Sequence, residues 1–282
     1  MAVSAAQVAY REEMIAAFEV NQSLLRGTVT TEAVIKGNQA KFLVSGSGGS
    51  TAVTRGTNGL IPSRTDTNTQ STATLVEWHD KPSKTDFDIF ASQGDQRSLM
   101  QRTSVGVINR QIDSDIITVL NTGSVTTGSA TTASLNLVLR AKTMLQNADV
   151  PWDNNLFALV SPAFEGYLNT IDAYSSQDYI EMKTIPAGGN AWSDRPKMKY
   201  WMGVNWITHP NVPAVGTSAA KCFMYHKSAI GHAVDSRGIN AMGGYNDEDH
   251  YYWYRTSVYM GSVLLQNAGV VVMTHDDTAL SS

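Results

Sequence analysis

The chain has one cysteine, Cys222, in 282 residues. A lone thiol allows no disulfide within the chain and no cysteine-based metal cluster, and it is compatible with a reducing compartment. Charge is also scarce: 16% of residues are Asp, Glu, Lys or Arg, and the net charge is −4. The 21 Lys and Arg are scattered and form no basic stripe. Proteins grip nucleic acid largely by displacing phosphate counterions with such residues, so specific or tight DNA binding is not expected. No segment approaches the ~20 apolar residues of a membrane span. The opening stretch, "MAVSAAQVAYREEMIAAFEV", carries Arg11, Glu12, Glu13 and Glu19 and lacks a signal-type apolar run. These absences predict a soluble protein made in a cytoplasm, with no membrane partner.

Catalytic signatures are missing too. "GSGGS" at 46–50 lacks the Lys-Ser/Thr ending of a phosphate loop, and there is no GxGxxG, HExxH or GxSxG. Cys222 and His226 share one face of an expected strand, but a single Cys in "KCFMY" reads as a small buried core residue. Asp247, Glu248, Asp249 and His250 follow Asn246 as consecutive residues of a turn, which rarely converge on one metal ion. His79, His209, His232 and His275 have no companions at ligand spacing. The expectation is a protein that is not an enzyme, with no cofactor and no metal.

The chain does have a 42% hydrophobic share, enough for a sizeable core, and abundant Thr, Ser, Asn and Gly. Such a surface is hydrogen-bonding rather than ionic. Its length corresponds to about two domains or one elongated one. Residues 4–25 read as an amphipathic helix, either packed in the core or acting as an arm on another subunit. Val34, Ile35, Phe42, Leu43 and Val44 are β-formers around the turn residues Gly37 and Asn38. Residues 45–73 are a long polar stretch. Loops of that length within a domain are uncommon and are usually functional or disordered. "TLVEWHDKP" (74–82) and "TDFDIFA" (85–91) read as extended segments on its far side. An extended hairpin reaching away from the body follows, with a disordered surface loop as the alternative.

The clearest helix comes next. Asp95 is a candidate N-cap, and Val105, Ile108, Ile112, Ile116, Val119 and Leu120 repeat at steps of three and four up to Gly123. At 1.5 Å per residue it would span ~39 Å. A second helix is expected near 134–147, and "LFALVS" (156–161) reads as a buried strand. Ser161 would cap a further helix starting at Pro162, with Phe164, Tyr167, Leu168 and Ile171 inward. Alternating strand and helix indicates a small α/β unit. Residues 184–201 read as a loop around Gly188 and Gly189. Strands are expected at 203–213, as a pair within 221–235 meeting near Lys227 and Ser228, and over 246–273.

The order of these parts resembles the major capsid proteins of tailed bacteriophages, the Hong Kong 97 fold. "VIKGNQAKFLVSG" and "TLVEWHDKPSKTDFDIFAS" resemble the strands entering and leaving that family's E-loop, and "DQRSLMQRTSVGVINRQIDSDIITVL" stands where its spine helix lies. "LFALVSPAFEGYL", "MGVNWITHPNVP" and "CFMYHKSAIGHAV" resemble its axial A-domain. "YRTSVYMGSVLLQNAGVVVM" resembles the closing strands of its peripheral P-domain. The resemblance implies an α+β fold divided into an N-terminal arm (1–33), an E-loop hairpin (34–82), a P-domain with the spine helix (83–150), an A-domain (151–254) and C-terminal strands returning to the P-domain (255–282).

The function implied is a major capsid protein that self-assembles as pentamers and hexamers into an icosahedral shell in the virion. The shell would be assembled in the host cytoplasm and would enclose double-stranded DNA without specific binding. Ser45, Arg55, Leu60, Ile61 and Arg64 would make E-loop contacts with a neighbouring subunit. Trp192, Arg195, Asn246 and Asp247, in the loops 184–201 and 236–249, would make axial contacts. A scaffolding protein, a portal protein and a decoration protein are the implied partners. The founding type carries a long extra N-terminal scaffolding segment and a Lys–Asn cross-link helped by a glutamate. Neither is found here, which implies a separate scaffold and noncovalent contacts. The alternatives are an encapsulin-like compartment, a metal-dependent hydrolase using residues 246–250, and a phage tail or decoration protein.

Overall fold

The computed structural model describes residues 23–34, 37–91, 95–175, 181–184 and 197–281. Most of the expected N-terminal helix lies outside them. Its last residues, 23–25, are not helical and lead into a short 3-10 turn at Arg26–Thr28.

Strands β1 (Thr30–Val34) and β2 (Gln39–Gly46) are followed by β3 (Thr67–Thr74), β4 (Val76–Asp80) and β5 (Ser83–Thr85). β2 and β3 form an antiparallel hairpin in register from Gln39↔Thr74 to Gly46↔Thr67, with residues 47–66 as its tip. Residues 86–91 depart from the expected extended form: Asp86–Ala91 is a short helix, α1. The reason is a local cap. Thr85 Oγ1 accepts the Asp88 amide at 3.1 Å, and Asp86 and Asp88 lie in the first turn, where acidic groups suit the helix dipole.

The spine helix, α2, runs Gln96–Leu120, or about 38 Å. Asp95 caps it as expected, its Oδ1 accepting the Ser98 amide at 3.1 Å. Ile108, Ile112, Ile116, Ile117 and Leu120 are buried. After it come β6 (Val125–Thr126), α3 (Leu135–Asn147), β7 (Leu156–Val160), α4 (Pro162–Leu168) and α5 (Asp172–Ser175). Ser134 and Ser161 are N-caps, and Pro162 sits at the start of its helix. The remaining strands are β8 (Glu181–Thr184), β9 (Lys197–Trp201), β10 (Val204–Thr208), β11 (Ala220–His226), β12 (Ile230–Asp235), β13 (Asn240–Asn246), β14 (Tyr251–Leu264) and β15 (Val270–His275), before the terminal helix α6 (Thr278–Ser281).

Two large sheets result. The six-stranded sheet is built on β14, whose fourteen residues span about 46 Å. β12 and β13 lie along one edge of it, β4 and β5 along the other, and β1 pairs parallel with β12. The seven-stranded sheet has the order β6-β15-β11-β7-β10-β9-β8. Sequence neighbours therefore part company. β11 and β12 were expected as a pair, yet they join different sheets through the 3-10 turn Lys227–Ala229. Likewise β14 lies in the spine sheet and β15 in the other, with Asn267–Gly269 between them. The two crossovers touch: a Cβ on Gly269 would stand 2.8 Å from that of Ala229, and the Leu265 amide donates to Ala229 O at 2.8 Å.

The spine helix lies in the core that both sheets share. Its isoleucines pack with Ile230, Val234, Val258 and Met260 of the six-stranded sheet, and with Phe157, Leu159, Ile207, Phe223, Tyr225, Val270 and Val272 of the seven-stranded one. The alternate residues of the latter strands, such as Leu156, Ala158, Val160, Val204, Cys222, Met224 and Val271, face a second core under α3 and α4. Both faces of this sheet are covered, so its central strands read as continuous apolar runs.

Candidate subunit-contact surface

Among the described residues the hairpin is anchored at its root. Ala40, Phe42 and Ala73 form a small cluster with Ala233, and the Phe42 ring lies where a Cβ on Gly231 would meet it at 3.0 Å. A Cβ on Gly261 of β14 would stand 2.1 Å from Thr74 O, so the hairpin backbone lies directly on the spine sheet at that point. Beyond the root, Leu43, Val53, Leu60 and Ile61 are exposed; the last two are 73% and 67% accessible. An apolar pair at the end of an extended arm has no core of its own to enter.

The expected contact residues on this arm are placed as follows. Ser45 lies in β2 opposite Asn68. Arg55 Nη1 donates to Gly59 O at 3.1 Å, which closes the loop that presents Leu60. Arg64 is paired with Asp66 at 2.6 Å. Trp192 and Arg195 lie outside the described residues. Asn246 ends β13. Its side chain accepts the Glu248 amide at 2.9 Å and donates to Asp249 at 3.2 Å, shaping the turn that holds Asp247.

That turn and the strands that flank the other expected axial segment stand in different sheets. β13 and β14 form a hairpin in the spine sheet, while residues 181–184 and 197–201 pair in the other sheet, so the two loops assigned to one axial contact belong to different sheets. The cause is the β13–β14 pairing. Gly243 and Gly244 leave room for the rings of Tyr254 and Trp253 that lie over them. The Tyr245 and Tyr252 rings are 4.6 Å apart at the end of this hairpin.

Helix α1 was not among the expected contact surfaces. Phe87 and Phe90 on it are 75% and 87% accessible, and none of its residues is buried. The signal was present in "TDFDIFA": a Thr cap, two acids in the first turn and two phenylalanines three apart, on one helix face.

Groups that might suggest chemistry are structural. Cys222 is fully buried, and burial pushes its thiol up to about 12. His226 instead bonds Ser228 and Asp153. Ser161, His275 and Asp277 lie together and are fully buried, but the Ser161 hydroxyl donates to Asp277 Oδ1 at 2.8 Å and accepts the Phe164 amide, so it serves as a helix cap. Asp277 also accepts the Gly216 amide, tying the C-terminal segment down. In the 246–250 turn, His250 Nδ1 bonds the Tyr245 hydroxyl at 2.8 Å. Among the described residues no group of three or more His, Cys, Asp or Glu is placed to hold a metal ion, and no helix is long and apolar enough to cross a membrane.

The family of phage capsid proteins matches residues 2–277. The chain belongs to that family. As a phage capsid protein it is a structural component of the virion and not an enzyme. No curated protein matches it. Its fold is similar to solved capsid structures at low identity. Cyanophage Pam1 matches at 12% identity with a TM-score of 0.71, covering 95% of this chain and 96% of that one. The native GTA particle capsid matches at 13% and 0.67, covering 98% of each chain. Mycobacterium phage Che8 matches at 15% and 0.66, covering 94% and 95%. The α+β fold expected of the Hong Kong 97 type is thus found over nearly the whole capsid protein.

Proposed function

We propose that copies of this capsid protein close into an icosahedral shell of pentamers and hexamers around double-stranded DNA, with the hairpin of β2 and β3 bridging each copy to a neighbour. The observation that carries this reading is the hairpin itself: an arm rooted on Gly231 and Gly261 whose outer apolar residues find no cover among the described residues. Head-to-tail contacts of this kind close into rings when the rotation allows. Ser45, Arg55, Leu60, Ile61 and Arg64 are its contact residues. Trp192 and Arg195 serve the ring axis. Asn246 and Asp247, at the end of the spine sheet, make a separate contact.

The A-domain is best drawn around the seven-stranded sheet, taking in β6 to β11 and β15. The P-domain then holds the spine helix with β4, β5, β12, β13 and β14. A net charge of −4 suits a wall that encloses DNA without gripping it. Scaffolding, portal and decoration proteins are the partners such a shell uses. Replacing residues 47–66 by a two-residue turn tests the reading. Electron microscopy should show no closed shells, while circular dichroism shows a folded chain. Shells of normal size from that variant would refute the bridging role.

A further inference from the structure

Two exposed apolar pairs stand among the described residues: Leu60 and Ile61 on the hairpin tip, and Phe87 and Phe90 on α1. Both pairs are open to solvent, so they do not cover each other within one chain. The phenylalanines are held in place: the Thr85 cap fixes the start of α1, and the Asp86 amide donates to His250 O at 3.1 Å, tying the helix to the β13–β14 turn. A soluble surface that displays two rings side by side on a fixed helix marks an interaction site.

The charges around the two pairs are opposite. The hairpin segment 39–74 carries Lys41, Arg55 and Arg64 against a single acid, Asp66. The segment 75–91, which contains α1, carries Glu77, Asp80, Asp86 and Asp88 against Lys81 and Lys84. On the hairpin, Asp66 is occupied by Arg64, and the guanidinium of Arg55 meets only a carbonyl among the described residues.

We infer that the hairpin tip of one copy docks on α1 of the next, Leu60 and Ile61 covering Phe87 and Phe90 with Arg55 beside Asp86 and Asp88. This rests on the bridging role of the hairpin and names the surface it reaches. Aromatic anchors at the centre of a contact and charge complementarity at its edge are how such interfaces divide affinity and register.

The test is a cysteine pair in the full chain, Leu60→Cys with Phe87→Cys. Cys222 is buried and its thiol is pushed up to about 12, so the introduced thiols are the reactive ones. Oxidised particles carrying both changes should run as a ladder of linked chains on a non-reducing gel, and particles carrying either change alone should run as single chains. Particles with both cysteines and no ladder would overturn the docking. So would a disulfide-linked dimer from Leu60→Cys alone, which would mean that tips meet tips.

Charge reversal gives a second readout if the cysteine chains do not assemble. Arg55→Glu and Phe87→Asp should each reduce assembled material at least ~10-fold, the loss of one hot-spot contact. Adding Asp88→Arg to Arg55→Glu should restore it. Wild-type assembly by both single variants, or no recovery in the pair, would overturn the docking. The shortened-tip variant separates the two ideas. Shells without residues 47–66 refute the bridging role itself, whereas its failure to assemble alongside a missing ladder refutes only the choice of α1.

Discussion

Asp113 stands midway along the spine helix and is buried. Its carboxylate accepts the Leu24 and Leu25 amides, each at 3.1 Å, and the Ser23 hydroxyl at 2.5 Å; His209 Nε2 lies 3.7 Å away. One side chain thus fixes where residues 23–25 cross the spine. Asp113→Ala leaves two amides without an acceptor, at a cost of about 3 kcal/mol. Hydrogen exchange at Leu24 and Leu25 should quicken more than in Ile116→Ala, a cavity variant remote from those hydrogen bonds.

His232 is the other sensitive residue at this scale. Ser262 donates to Asp115 at 2.5 Å and accepts from His232 Nδ1 at 2.9 Å, which leaves His232 Nε2 buried and without a partner among the described residues. Burial lowers its pKa from 6.5 to about 4, helped by nearby Arg26. The unfolded chain therefore binds this proton first. The stability concerned is intact above about pH 6.5 and is lost progressively down to about pH 4, by roughly 3 kcal/mol. Burial raises the Asp115 pKa, so that group acts in the opposite sense and offsets part of the loss in acid. Urea midpoints at pH 7.5 and pH 4.5 should differ less in His232→Gln than in the natural chain.

At the scale of elements, the hairpin depends on close backbone approach at its root. Gly261→Ala would place a methyl 2.1 Å from Thr74 O, and neither backbone can yield cheaply. The expected cost is at least ~2 kcal/mol, at the level of overpacked cores, with proteolysis appearing first in the hairpin. Gly59→Ala, at the tip, meets no neighbour within 4 Å and strains only its own backbone at φ +72, so it should leave the root unaffected. The spine and the helix at Pro162 were legible in the sequence because their signals are local: Asp95 and Ser161 bond amides three residues on, and the isoleucine spacing marks one face. For α1 the local signal, a Thr cap and two acids, was too weak to outweigh an extended reading. Six residues are too few for periodicity to compete with two β-favouring phenylalanines, and only the Thr85 cap and its docking on His250 O settle it.

At the scale of the molecule, the spine helix is a wedge shared by two sheets. Ile112 and Ile116 touch no solvent and belong to a core drawn from both. Ile112→Ala should cost about 2–5 kcal/mol, the range for cavities in well-packed cores. Because both sheets lean on the same helix, tryptophan fluorescence, to which Trp78 and Trp253 of the six-stranded sheet and Trp201 and Trp206 of the other contribute, should change in a single urea transition that coincides with far-ultraviolet circular dichroism. Separated transitions would mean that the sheets fold independently.

The sequence by itself determined the sparse charge, the single inert thiol, the long capped helix and the order of strand and helix along the chain. All of these follow from composition or from contacts within a few residues. Only the tertiary structure decided which sheet each strand joins. "KCFMYHKSAIGHAV" reads as one hairpin, yet its halves part at Lys227–Ala229, and "SVLLQNAGVVV" parts the same way at Asn267–Gly269. Alternation of side chains tells which face of a strand is buried, but its partner lies far along the chain: Leu159 of β7 faces Phe223 of β11, and Trp78 of β4 faces Val258 of β14. That choice is made by the spine helix, whose apolar face both sheets must cover.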